Sequence, residues 1–163
     1  MKTLEETLAY CSARVLNKFR TLFNLGVEDA REIARETHRW LWLNARGRLD
    51  RKAGVENIPA ALVIHQGMVV LDEYWHAFIL HTRDYADFCE VHFGCFVHHS
   101  PGSPEFVPPD EAETERQLLY IYDVLGAETL VRWYEDYPVR YSADALATLQ
   151  RPTVFGRSCE QVP

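Results

Sequence analysis

The chain has 163 residues, 47% of them hydrophobic and 12% aromatic, and a formal net charge of −7 with histidine neutral. A chain of that length buries about two-thirds of its unfolded surface in a single domain, so no disulfide or metal is needed merely to fold, and the composition excludes a disordered chain. Its cations are scattered among acids rather than gathered into a basic stripe, which speaks against nucleic acid and against an anionic membrane surface as partners.

In chain order, Leu4, Leu8, Cys11, Val15, Phe19 and Leu22 recur at three- and four-residue steps. That spacing predicts one amphipathic helix with Cys11 on its core face and Gly26 as its C-terminal cap. A second helix is expected over about 28–45, with Glu28 and Asp29 in its first turn and Ile33, Trp40 and Leu41 inward. The polar stretch 46–57, holding Gly47 and Gly54, reads as a loop, and Pro59 suits the first turn of a further helical segment.

From Val69 to Leu80, Asp72, Trp75, His76 and Ile79 share one helical face. Thr82 is positioned to cap the next helix, whose Tyr85, Phe88, Cys89 and His92 face one way until Gly94 stops it. The proline-rich stretch 100–109 reads as a surface loop. Asp110 opens another helix, with Leu118, Leu119, Tyr122 and Leu125 expected inward and Gly126 as its end. Short helices follow near 127–134 and 142–149, then a patternless tail from Arg151. Val69-Val70 and Phe96-Val97 are the candidates for brief extended pairs. The expectation is an all-α, irregular, single-domain bundle of about six helices spanning 1–163, with 151–163 as a loose tail.

The run 58–80 is too interrupted by His65, Asp72, Glu73 and His76 to span a bilayer. Met1 to Glu6 lacks the apolar region of a signal peptide, and Cys11, Cys89, Cys95 and Cys159 show no CxxC spacing. Reduced thiols and a cytoplasmic location are therefore expected.

Chemistry concentrates between Asp72 and His99, where His76, His81, His92, His98 and His99 stand among Asp72, Glu73, Cys89, Glu90 and Cys95. Imidazole, thiol and carboxylate donors together suit a transition metal. Asp72 and His76 are one turn apart, whereas His81 joins them only if the helix breaks just before it. On that condition His76, His81 and His99 are the expected ligands, Cys89 a possible fourth, and Asp72 an orienting partner of His76. Against this stands a plain core reading, in which the histidines are buried and hydrogen-bonded among the aromatics of the segment, as His38, His65 and His92 are expected to be structural or surface residues.

The same residues resemble the glycine-rich domain-containing-protein-like family. The resemblance rests on Asp72-x-x-Trp75-His76, then His81, Tyr85, Cys89, Phe93-Gly94 and His99 with matching gaps, about thirty residues in all. The chain departs from longer members at Phe78, where they often carry a histidine, and at Thr82, where they tend to have proline; the glycine-rich region is absent. The resemblance implies a short, bacterial-type member with a histidine-rich site for zinc or iron, and names no reaction.

Three functions follow as expectations. The first is a metal-binding protein that could extend to a metal-dependent enzyme acting on a small molecule, in which Asp72 or Glu73 assists proton transfer. The second is a non-catalytic module that holds a protein partner through Trp133, Tyr134, Tyr137 and Tyr141 with Arg132 and Arg140, residue types common in binding hot spots. The third is a redox sensor using Cys89 and Cys95, although no Lys or Arg adjoins either thiol. The absence of a phosphate loop, a nucleophile elbow and a dinucleotide fingerprint argues against nucleotide cofactors.

Overall fold

A computed structural model describes residues 1–100 and 107–152 of the chain, and among these residues every regular element is helical. The elements are α1 (Leu4–Leu8), α2 (Ala13–Leu22), α3 (Val27–Lys52), α4 (Val69–Ile79), α5 (Thr82–Phe93), α6 (Glu111–Leu125), α7 (Ala127–Val131), α8 (Tyr137–Arg140) and α9 (Ala143–Leu149). A 3₁₀ turn (Gln66–Met68) leads into α4, and a π turn (Arg132–Asp136) joins α7 to α8. The all-α expectation holds. Among the described residues there are eight helical stretches, counting 127–140 as one, against about six expected; the first predicted helix is two.

The split falls between α1 and α2. Thr3 and Glu6 close a reciprocal capping box on α1, and Ser12 accepts from the Val15 amide to start α2. The intervening turn drives Tyr10 into an aromatic cluster with His38, Phe78, Phe88 and His92. Cys11 is consequently exposed rather than core.

Gly26 is the N-cap of α3, not the stop of the helix before it. α3 then runs straight through the expected loop to Lys52, because Gly47 is covered: a Cβ there would lie 3.6 Å from the Tyr120 ring. This 26-residue helix is the spine of the fold, and α1, α2 and α4 all pack on it. Its Trp40, Leu41 and Leu43 meet the inward rings of the other helices. Thr37 ties it to α4 by donating to Leu71 O at 3.3 Å as well as to its own Ile33 O.

Pro59 begins no helix; after a turn at Asn57 the segment 58–65 is irregular with a bend at Ala60 and Ala61, and helical structure resumes only at Gln66. On α6 the buried residues are Gln117, Tyr120 and Ile121, while Leu119 and Tyr122 face outward, a rotation of the expected stripe. Its polar inner face has a purpose: Gln117 bridges Val63 through both its amide groups, and Tyr120 donates to Asp50 at 2.8 Å.

The π turn has an identifiable cause. Pro138 lacks an N–H and its ring collides with the carbonyl four residues back, so the preceding turn widens until Tyr137 N donates to Arg132 O. Val69 and Val70 are helical, and the one backbone bridge found among the described residues is Phe23 with Gln150. The proline-rich expectation for 101–106, the tail from residue 153 and Cys159 lie outside the described residues. No described helix is long and apolar enough to cross a membrane.

Candidate metal centre

α4 and α5 are joined by a tight corner at Leu80 and His81, and Gly94 ends α5 in the left-handed conformation, φ 67°, that glycine tolerates best. The chain then doubles back along α4. A three-member relay fixes this return: Trp75 Nε1 donates to Tyr85 Oη at 2.9 Å, and the same hydroxyl donates to Val97 O at 2.5 Å. Both aromatic side chains are buried, so the relay is shielded from water. Two residues further on, His99 arrives over α4.

There His99 Nε2 lies 2.7 Å from Asp72 Oδ1, and His76 Nε2 lies 3.7 Å from Asp72 Oδ2. The two imidazoles are adjacent, with ring centroids 4.6 Å apart, and the Trp75 indole flanks His99 edge-on at 4.4 Å. One donor atom from each of Asp72, His76 and His99 falls within 4.8 Å of the others. Exposure is graded across the group: the His99 side chain is 11% exposed, Asp72 28% and His76 46%, so the site is rooted in the core and open on one side.

The other expected ligands stand elsewhere. The helix does break before His81, as the sequence reading required, but the imidazole Nδ1 turns back to Ala77 O at 2.9 Å. The last carbonyls of a helix have no partner within it, and this one claims the ring. Cys89 is fully buried beside Tyr85 and Val97, and burial pushes its thiol above the usual range, which disfavours both metal binding as thiolate and redox reactivity. Glu73 is partly buried next to the cluster in sequence, and loss of hydration raises its carboxyl, partly opposed by His76. His98 is exposed, His65 caps the 3₁₀ turn through Gly67 N, and His38 and His92 are buried in the aromatic cluster. The geometry thus exchanges His81 and Cys89 for a carboxylate: two imidazoles and Asp72.

In the second candidate surface Tyr134 is partly buried and Arg140 exposed, while the other three aromatics are covered. Trp133, Tyr137 and Tyr141 are buried, Trp133 Nε1 donates to Glu36, and Arg132 and Arg140 pair with Glu36 and with Glu32 and Asp29. These residues hold the α7–α8 run against α3.

Asp72 and His99 also line a cleft of about 700 Å³ between α3, α4 and the segments 60–64 and 97–100. Its walls include Arg48 and Arg51, from the polar stretch expected as a loop. Their spacing from Trp40 and Asn44, at steps of four, four and three, is the helical signal that places all four on one face.

The family model described as UCP032817-like matches residues 57–119, a span that contains Asp72, His76, Tyr85 and His99. That description names no activity. No curated protein and no solved structure matches the chain.

Proposed function

We propose that the protein binds a divalent transition metal, zinc or iron(II), through Asp72, His76 and His99. The observation that carries this reading is the convergence of one carboxylate and two imidazoles within 4.8 Å. Zinc and non-haem iron both accept two histidines and one carboxylate, with positions left open for water or substrate. A tetrahedral ion with bonds near 2.0–2.1 Å sets its donors about 3.3 Å apart. The two Asp72 oxygens lie 2.7 Å from His99 Nε2 and 3.7 Å from His76 Nε2, and the three donors lie within 4.8 Å of one another, so the side chains close around an ion only after rearranging.

Metal-assisted hydrolysis or hydration of a small molecule is the reaction class that this site suits, because a bound ion polarises an oxygen of substrate or water. The residues divide the remaining work. The Trp75–Tyr85–Val97 relay orients His99, and Trp75 excludes water from one side of it; Glu73, whose carboxyl burial raises above its usual range, adjoins Asp72 in sequence as a candidate for proton transfer. The chemistry requires no exposed thiol and no nucleotide.

Metal content settles the matter. Protein purified without chelator, or stripped and reloaded with Zn²⁺ or Fe²⁺, is expected to hold one ion per chain. His76→Ala and Asp72→Ala are expected to lose it, while His81→Ala and Cys89→Ala retain it. A wild-type chain that takes up no stoichiometric ion would reduce the group to a hydrogen-bonded Asp–His pair.

A further inference from the structure

Seven of the thirteen arginines among the described residues pair with carboxylates. Glu36 takes both Arg39 and Arg132, and Arg14, Arg31, Arg46, Arg116 and Arg140 each have an acidic partner. The larger cavity, of about 920 Å³, sets four arginines, Arg31, Arg35, Arg39 and Arg132, against four glutamates, so its charges balance although Arg35 pairs with no carboxylate among the described residues.

The cleft beside Asp72 differs. Among the described residues neither Arg48 nor Arg51 meets a carboxylate. Arg48 donates one N–H to Phe96 O at 3.0 Å, and Arg51 donates one to Pro59 O at 2.7 Å. A guanidinium has five N–H donors, so each keeps most of its fork available. Both stand on α3, three residues apart, and each reaches a different flank of the cleft, Arg48 the segment after α5 and Arg51 the segment before α4. The one carboxylate in the lining, Asp72, is engaged by His99 instead. The rest of the wall is chiefly apolar, with Trp40, Leu62, Ile64, Val69, Trp75 and Val97.

We propose that this cleft binds a small carboxylic acid with an apolar body, its carboxylate held by Arg48 and Arg51 and its chain laid along the Leu62–Ile64 and Val97 walls. Two planar forks suit a carboxylate, and the volume is that of a small-ligand pocket. The inference deepens the metal reading by naming the class of molecule brought to Asp72 and His99, and it rests on that reading for what happens to the ligand but not for binding.

The test is calorimetric titration of chelator-treated protein with octanoate, octan-1-ol and octylammonium. Octanoate is expected to bind at least tenfold more tightly than the other two, equally in wild type and His76→Ala. Arg48→Gln with Arg51→Gln, which keeps an amide donor for each carbonyl, is expected to weaken octanoate at least tenfold while leaving zinc stoichiometry unchanged. Leu62→Glu, a charge placed in a half-buried wall, is expected to reverse the preference toward octylammonium. Octanol matching octanoate, or unchanged octanoate affinity in a folded arginine double variant, overturns the proposal. Octanoate binding without any metal uptake keeps the cleft and removes the metal reading; metal uptake without octanoate binding does the opposite.

Discussion

Trp75 and Tyr85, ten residues apart on consecutive helices, share a buried hydrogen bond of 2.9 Å from the indole N–H to the phenol oxygen. Because the Tyr85 hydroxyl in turn donates a hydrogen bond to Val97 O, the pair decides where the chain goes after α5, and so where His99 comes to rest. Removing that hydroxyl leaves a buried indole N–H and a buried carbonyl without partners.

Tyr85→Phe is therefore expected to cost about 1–3 kcal/mol in urea unfolding, the usual penalty for orphaned buried groups. The same variant is expected to weaken zinc affinity about tenfold, since partners that orient a ligand commonly contribute that much. Competition with a chromophoric chelator measures it. Full zinc affinity in a destabilised variant would confine the relay to a structural role.

His38 sets an acid limit on stability. It is completely enclosed by Tyr10, Tyr74, Phe78 and Phe88, with neither ring nitrogen hydrogen-bonded among the described residues, and burial pulls its pKa down to about 3. The neighbouring His92 imidazole is lowered as well, by burial first. With an unfolded value near 6.5, the unfolded chain binds the proton first, so stability is complete above that pH and falls as pH drops toward 3. Between pH 7.5 and 5 the loss from His38 alone is about 2 kcal/mol. In urea titrations at the two pH values, His38→Phe is expected to shrink the difference by about that amount. An unchanged difference would show that His38 finds a partner for its proton.

Glu36 is the buried charge on which α7–α8 depends. At 3% exposure it accepts from Arg39, Arg132 and Trp133 Nε1. Glu36→Ala is expected to destabilise by about 3–5 kcal/mol, because two guanidinium groups and an indole N–H lose their common acceptor. Glu36→Gln is expected to cost less, since one carbonyl oxygen remains. Trp133 fluorescence during unfolding reads the local effect.

Gly67 is required by its neighbour rather than by its backbone. A Cβ at this position would fall 2.3 Å from Pro138 Cγ and 2.9 Å from Pro138 Cβ, a rigid ring that cannot swing aside. Gly67→Ala is expected to destabilise by about 1–3 kcal/mol, or roughly 2–10 °C in Tm for a chain of this length. Pro138→Ala in the same background is expected to restore part of the loss.

Local chemistry in the sequence already determined the helical class, the start at Asp110, the stop at Gly94 and the one-turn pairing of Asp72 with His76, since each depends on residues a few positions apart. Distant contacts decided the rest. Gly47 stays helical because Tyr120 covers it, Cys11 is exposed because Tyr10 takes the place in the core, and His81 is drawn to the carbonyl of Ala77 while Asp72 is left for His99. Spacing along a chain reports which side chains share a helix face, but which of two nearby imidazoles reaches a carboxylate depends on how a loop is anchored by residues elsewhere in the fold. For this protein that anchor is a phenol hydroxyl, and no periodicity reveals it.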